Sequence, residues 1–181
     1  MNDLILLAAL LNGPKHGYAL KKWTNTITGK GEMHNNLVYP LLKRFVNEGL
    51  VSQRRSAGQR GQTREVYALT SKGKQALLDR LGEFTAKDAA SAEAFSLRTG
   101  MFGVLDNEKR GEIVEARDRW LAHRADRLAT IAKNMPSDAW AKETVEHLRT
   151  QAEAERKWLE RLRKLEKKSE GSSSYGSGGQ K

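Results

Sequence analysis

Four arginines, Arg54, Arg55, Arg60 and Arg64, fall within eleven consecutive positions that also hold Gln59 and Gln62. Guanidinium groups at that density suit the phosphates or the minor groove of a duplex, through charge and paired N–H donors. Upstream, Asn35 and Asn36 precede Tyr39, Lys43 and Arg44. An asparagine amide can pair with the adenine edge, and it can equally cap a helix; both roles are open to this pair. The Tyr39 hydroxyl can reach a phosphate, and so can Lys43 or Arg44 one turn further on. Lys15 and His16 stand ahead of another expected helix, where its positive end favours phosphate. His34 is open to phosphate, to a small ligand or to plain solvent.

These groups need elements to hold them. Leu37, Leu41, Leu42 and Phe45 recur at helical spacing and end at Gly49, which predicts a helix from His34 or Asn35 to about Glu48. Val51–Ser56 and Thr63–Leu69 read as two short strands around a loop holding Gly58 and Gly61. Leu4–Leu11 predicts a buried first helix stopped by Asn12-Gly13-Pro14. A second helix should begin near His16 and carry Tyr18, Leu20 and Trp23 toward Ile27, with Gly17 structural. Thr70 or Ser71 should cap a fourth, with Ala76, Leu77, Leu78 and Leu81 as its stripe. Three helices, a basic hairpin and a closing helix make a winged helix-turn-helix over residues 1–85, with Arg60 and Gln62 at the wing tip.

Composition agrees. The 181 residues carry a formal charge of +10, which favours an anionic partner. Residues 1–85 hold 13 of the 32 Lys and Arg but only 6 of the 22 Asp and Glu. With no cysteine, disulfides, thiolate nucleophiles and cysteine-held zinc are excluded, which fits a reducing cytoplasm. Leu4–Leu11 is too short to span a bilayer, so no membrane partner and a cytoplasmic location are expected. No nucleophile–base–orienter set is visible, and Glu143 with His147 supplies only two metal ligands. The reading is of a non-enzyme with no cofactor and no metal.

The second half predicts helices. Phe95, Leu97, Met101, Phe102 and Leu105 suggest a short one, weakened by Gly100 and Gly103. Asp106 looks like the cap of a long helix, Asn107–Met135, on which Val114, Leu121 and Leu128 recur every seven residues. Pro136 breaks it and Ser137 can cap the next, which should reach Lys168 with Val145, Ala152 and Leu159 in register. Leu148 and Leu162 share a second row that Glu155 interrupts. The fold class is therefore mainly α with a small β-hairpin. The N-terminal reader is followed, over residues 86–168, by an antiparallel helical hairpin. A hairpin cannot bury both flanks alone, so the seam (Val114, Leu121, Leu128, Leu148, Leu159, Leu162) and Trp140 and Trp158 predict dimerisation. The Ser- and Gly-rich tail, residues 169–181, should be disordered.

Three motifs, LLNGPKHGYALKKW, LVYPLLKRFVNEGLV and REVYALTSKGKQAL, resemble in order the N-terminal signature of PadR-family transcriptional regulators, over about residues 4–82. The second half resembles the helical domain of the longer, virulence-activator-like members. It has an R-x-x-W pattern at Arg117 and Trp120 and E-x-x-W-L at Glu155, Trp158 and Leu159. The resemblance implies a homodimer on a pseudo-palindromic operator, usually a repressor, released in many members by a small molecule. Phenolic acids such as vanillate or hydroxycinnamates serve several long members. Family members often have Ser or Thr where this chain has His34 or Asn35, so operator sequence does not transfer.

Capture of an aromatic acid needs an aromatic wall and a cation. Trp120 with Arg117, Arg124 or Arg98 could supply them, joined by Tyr18, His34 or Tyr39 from the reader. Alternatively, Trp120 belongs to a dimer core and the arginines to helix-surface pairs. A winged helix that binds protein rather than DNA is the rival reading of the whole chain, and the basic wing favours DNA.

Overall fold

A computed structural model describes residues 2–28, 35–57, 63–135 and 138–173. The chain forms two units, one of Met1–Glu83 and Leu97–Leu105, the other of Phe84–Ser96 and Asp106–Lys181. This division differs from a single break after residue 85, because residues 97–105 return to the first unit.

In the first unit, α1 (Asn2–Ala9) is buried from Leu4 onward. Gly13 takes φ +103° where the sequence places the break. Lys15 and His16 form a short strand, β1, antiparallel to Tyr67 and Val66. Helix α2 (Gly17–Thr28) consequently starts one residue after the expected His16. Leu20 is fully buried, but Tyr18 is 76% exposed and leaves the expected apolar stripe.

Helix α3 runs Asn35–Asn47. Its buried stripe is Val38, Leu42 and Phe45, and Leu37, expected there, is exposed. The i, i+4, i+7 set that best faces the core starts one residue later. Pro40 lies inside the helix, which removes one intrahelical hydrogen bond. The helix ends where the glycine predicts. Gly49 has φ +71°, its N–H donates to the Val46 carbonyl at 3.0 Å, and Leu50 N–H donates to the Phe45 carbonyl at 2.8 Å. That pairing is a Schellman end, which needs a residue at ease in the left-handed region.

Strands β2 (Val51–Ala57) and β3 (Thr63–Leu69) pair antiparallel, and the sheet order is β1-β3-β2. The expected two-stranded wing is thus three-stranded at its base. Thr70 joins β3 to α4 (Ser71–Gly82). Its hydroxyl caps α4 by accepting from Gly73 N–H at 2.9 Å and donates to the Gly49 carbonyl at 2.8 Å. A Cβ on Gly73 would lie 1.9 Å from the Leu50 carbonyl oxygen, so only glycine allows α4 this close to the end of α3.

The stretch expected as one short helix is α5 (Ala86–Ala90), α6 (Ala92–Thr99) and a 3-10 turn, Phe102–Val104. Thr85 and Asp88 form a reciprocal capping box on α5. Arg98, 7% exposed, donates to the Glu83 carbonyl at 3.0 Å within the first unit.

In the second unit, α7 (Asn107–Asn134), capped by Asp106, packs along α8 (Ala139–Ser173). Helix α8 passes the expected end at Lys168, so residues 169–173 of the supposed disordered tail are helical. The remainder of that tail, like His34, Arg60, Gln62 and the possible cap Ser137, lies outside the described residues. Val114, Leu121, Leu128 and Leu159 are buried within this one chain. A seven-residue repeat seals an intramolecular pair of helices as well as an intermolecular one, so these four need no partner to be covered.

Candidate nucleic-acid interface

The strand register decides which basic side chains share a face. Directly opposed residues of an antiparallel pair point the same way, and neighbours along a strand alternate. Arg54 opposes Val66, which on its other side opposes His16. Arg64 opposes Ser56, two residues along the same face. His16, Arg54 and Arg64 are all exposed there. With strands about 4.8 Å apart, His16 and Arg54 stand roughly 10 Å from each other across β3.

Arg55 points to the opposite face, where Val51 and Tyr67 are buried. Its Nε lies 3.7 Å from Glu65, whose carboxylate also accepts from Gln53. The four wing arginines therefore divide. Arg54 and Arg64 are offered outward, Arg55 is held by a carboxylate, and Arg60 is outside the described residues.

Helix α3 turns Tyr39, Pro40, Lys43 and Asn47 to solvent. Asn35 and Asn36 make its first turn, and their side chains are not among those described. Arg44 is spent elsewhere. It pairs with Asp3 of α1, reaches Glu48 at 3.5 Å and covers the buried Phe45 ring at 5.2 Å. Of the two cations one turn along, Lys43 is the one left outward.

Tyr39 joins three elements. A Cβ placed on Gly17 would meet its ring at 3.0 Å, so the first residue of α2 is glycine where that ring lies. Tyr39 also acts on Tyr67 of β3, whose phenol is held above its usual value by burial first, then by Glu65 and Tyr39. Sequence reasoning missed this junction. The signal available was the small residue directly after the Lys15–His16 pair, which reads as a helix start rather than as a neighbour of a ring 22 positions later.

The aromatic-acid candidates are placed in two groups. Trp120 has Arg117 at 4.7 Å and Arg124 at 5.2 Å from its ring. Arg117 is 2% exposed and already bound to Glu155 and to the Ala89 carbonyl. Arg98, Tyr18 and Tyr39 belong to the first unit. Among the described residues no cluster of three acidic or histidine side chains could hold a metal ion. Nor is any helix there long and apolar enough to cross a membrane.

Three helices closed by a basic three-stranded wing make the first unit a winged helix-turn-helix of the kind transcriptional regulators carry. Residues 6–79 match the model of the transcriptional regulator PadR-like family, so the first unit carries a PadR-like domain. No curated protein sequence matches it. Among solved structures, it resembles the TA0346 protein of Thermoplasma acidophilum at 35% identity over 43% of this chain and 74% of that one, with a TM-score of 0.40. A PadR family transcription regulator of Clostridium difficile matches at 26% identity over 45% of this chain and 84% of that one (TM-score 0.39). Bacillus subtilis PadR, solved in complex with operator DNA, matches at 17% identity over 89% of this chain and 95% of that one (TM-score 0.46).

Proposed function

We propose that this protein acts as a PadR-family regulator, binds pseudo-palindromic operator DNA as a homodimer, represses transcription in the cytoplasm and is released by a small aromatic acid. Vanillate and hydroxycinnamates are the class we assign. The observation that carries the DNA reading is the shared outward face of His16, Arg54 and Arg64, set on the unit that also turns Tyr39 and Lys43 to solvent. Such a face supplies phosphate contacts, while Asn35 and Asn36 at the head of α3 are the groups suited to base edges. Lys15 and the wing-tip residues Arg60 and Gln62 complete the proposed contacts.

Homodimerisation is supported by what the hairpin leaves uncovered. Trp140 is 85% exposed, Leu165 63% and Ile131 49%, and Leu148, Trp158 and Leu162 are half-buried. An apolar surface on that scale calls for a partner, and a second copy is the simplest.

Selection of bound fragments from sheared genomic DNA tests the proposal. A reproducible palindrome with half-sites about one helical turn apart is expected. Recovery no better than random would overturn DNA reading and leave a winged helix that binds protein.

A further inference from the structure

Arg44 stands at the edge of the outward face of α3, one turn beyond Pro40 and one turn before Asn47, both exposed. Its side chain is drawn off that face. The guanidinium pairs with the Asp3 carboxylate of α1 and lies over the buried Phe45 ring. Arg80 of α4 comes to the same place. Its Nη1 is 3.9 Å from Asp3 Oδ2, and its guanidinium carbon is 5.8 Å from the centre of the same ring. One acid thus holds together two cations that would otherwise repel each other. The two are not equally free to leave. Arg80 Nη1 is buried and makes no hydrogen bond among the described residues, whereas the Arg44 side chain keeps 46% of its surface exposed.

We propose that Asp3 is a positioning residue for DNA binding: it holds Arg44 back from the duplex and so keeps one cation of α3 out of phosphate contact. An arginine at the rim of a reading helix strengthens binding to every sequence alike, because phosphates carry no base information. Tied to Asp3, Arg44 adds nothing to that sequence-blind attraction, and Lys43 and the wing supply it instead.

Glu48 does not hold Arg44 in the same way. It stands 3.5 Å from Arg44 Nε as an exposed i, i+4 pair on α3 itself, a geometry that restrains a side chain only loosely. Asp3 reaches in from another helix, and α1 is fixed there by the burial of Leu4–Leu10. Removing the Asp3 carboxylate leaves Arg44 beside Arg80 with no shared counter-charge, and Arg44, the more exposed of the two, is the one that swings outward. This inference rests on the proposed DNA-binding function of the first unit.

Fluorescence anisotropy of the full chain on a mixed-sequence duplex, repeated across salt concentrations, tests it. Asp3→Ala should steepen the log–log salt slope by about 0.9 and tighten binding by about fivefold near 0.15 M salt. Arg44→Gln should leave the slope of the native chain unchanged, yet remove the whole gain when combined with Asp3→Ala. Asp3→Glu, which keeps the acid, should match the native slope. An unchanged slope in Asp3→Ala, a gain that survives Arg44→Gln, or an Asp3→Glu as steep as Asp3→Ala overturns the proposal. So does an Arg44→Gln that flattens the native slope by itself, an arm that does not require Asp3→Ala to fold. A tie that only fastens α1 to α3 would lower the unfolding midpoint and leave every slope alone. If the native chain binds no duplex even at low salt, the DNA reading falls and this proposal with it; if it binds and the slopes fail to respond, only the role of Asp3 is lost.

Discussion

Arg117 of α7 and Glu155 of α8 meet through two parallel hydrogen bonds, Nε to Oε1 at 2.8 Å and a terminal nitrogen to Oε2 at 2.7 Å. The other terminal nitrogen donates to the Ala89 carbonyl at 2.6 Å, so one guanidinium ties both long helices to α5. Phe95 lies 5.8 Å from the same cation and stacks edge-on with Trp158 at 5.5 Å. The motif residues Arg117, Trp120, Glu155 and Trp158 are thus one cluster rather than two separate signatures. Glu155 breaks an apolar row because the buried arginine opposite requires a carboxylate.

That pair should break unequally. Arg117 is 2% exposed and Glu155 19%. Glu155→Leu strands a buried cation and should cost about 3–5 kcal/mol in urea unfolding. Arg117→Leu leaves a carboxylate that water can still reach and should cost less. The double Leu variant should recover part of the loss; a double variant as unstable as the sum of both singles would refute the pairing.

Acid should weaken a neighbouring junction. Asp118 accepts from Arg156 at 2.7 Å and from Arg163 at 2.9 Å. Burial pushes its carboxyl upward, but the two guanidiniums outweigh that and hold it below the usual carboxylate value. A depressed folded-state value contributes stability above the unfolded value, about 3.9, and loses it as pH falls through the folded one. The Tm gap between the native chain and Asp118→Asn should therefore be full at about pH 6 and close toward about pH 2. A gap constant across that window would show the ion pairs to be idle.

On DNA, the wing arginines should separate by face. Each phosphate contact contributes about −0.9 to the log–log salt slope. Arg54→Ala and Arg64→Ala should each flatten the slope by about that amount in fluorescence anisotropy. Arg55→Ala should change it far less, since Glu65 already balances that charge. Arg55 matching Arg54 would refute the division by face.

Two glycine substitutions should move stability in opposite directions. Gly73→Ala drives a Cβ against the Leu50 carbonyl and should cost toward the upper end of about 1–3 kcal/mol. Gly111→Ala, inside α7 with open space around it, should gain about 0.5–1 kcal/mol. Chemical denaturation of the pair checks both, and a neutral Gly73→Ala would mean that the turn at Leu50 yields freely.

Self-association should depend on the exposed end of the hairpin. Trp140→Ser is expected to weaken the dimer in analytical ultracentrifugation, because the indole is 85% exposed in the single chain. Leu121→Ala should instead lower the unfolding midpoint, since Leu121 is buried without any partner. Trp140→Ser with undiminished association would move the interface elsewhere.

Elements with strong local signals were legible in the sequence. Gly49, Thr70 and Asp106 mark helix ends by chemistry that works within a few residues, and each appears where it was expected. The hairpin strands also fell within a residue of their bounds. What escaped depends on partners distant in the chain. β1 exists because Lys15 and His16 find Tyr67 and Val66 some fifty residues away, and two residues carry no period of their own. The face of each arginine follows from register, which composition does not reveal. The heptads in α7 and α8 were legible as a seam but not as to whose helix seals it, because the same spacing serves a neighbour in the chain or a second copy.

The return of residues 97–105 to the first unit bears on how this protein can be cut and recombined. A fragment ending after α4 would keep all of the outward basic face yet lose one side of the fold beneath it, including the arginine that closes on Glu83. Swapping the whole second unit for that of another regulator therefore calls for three joins, near residues 84, 97 and 106, rather than a single one.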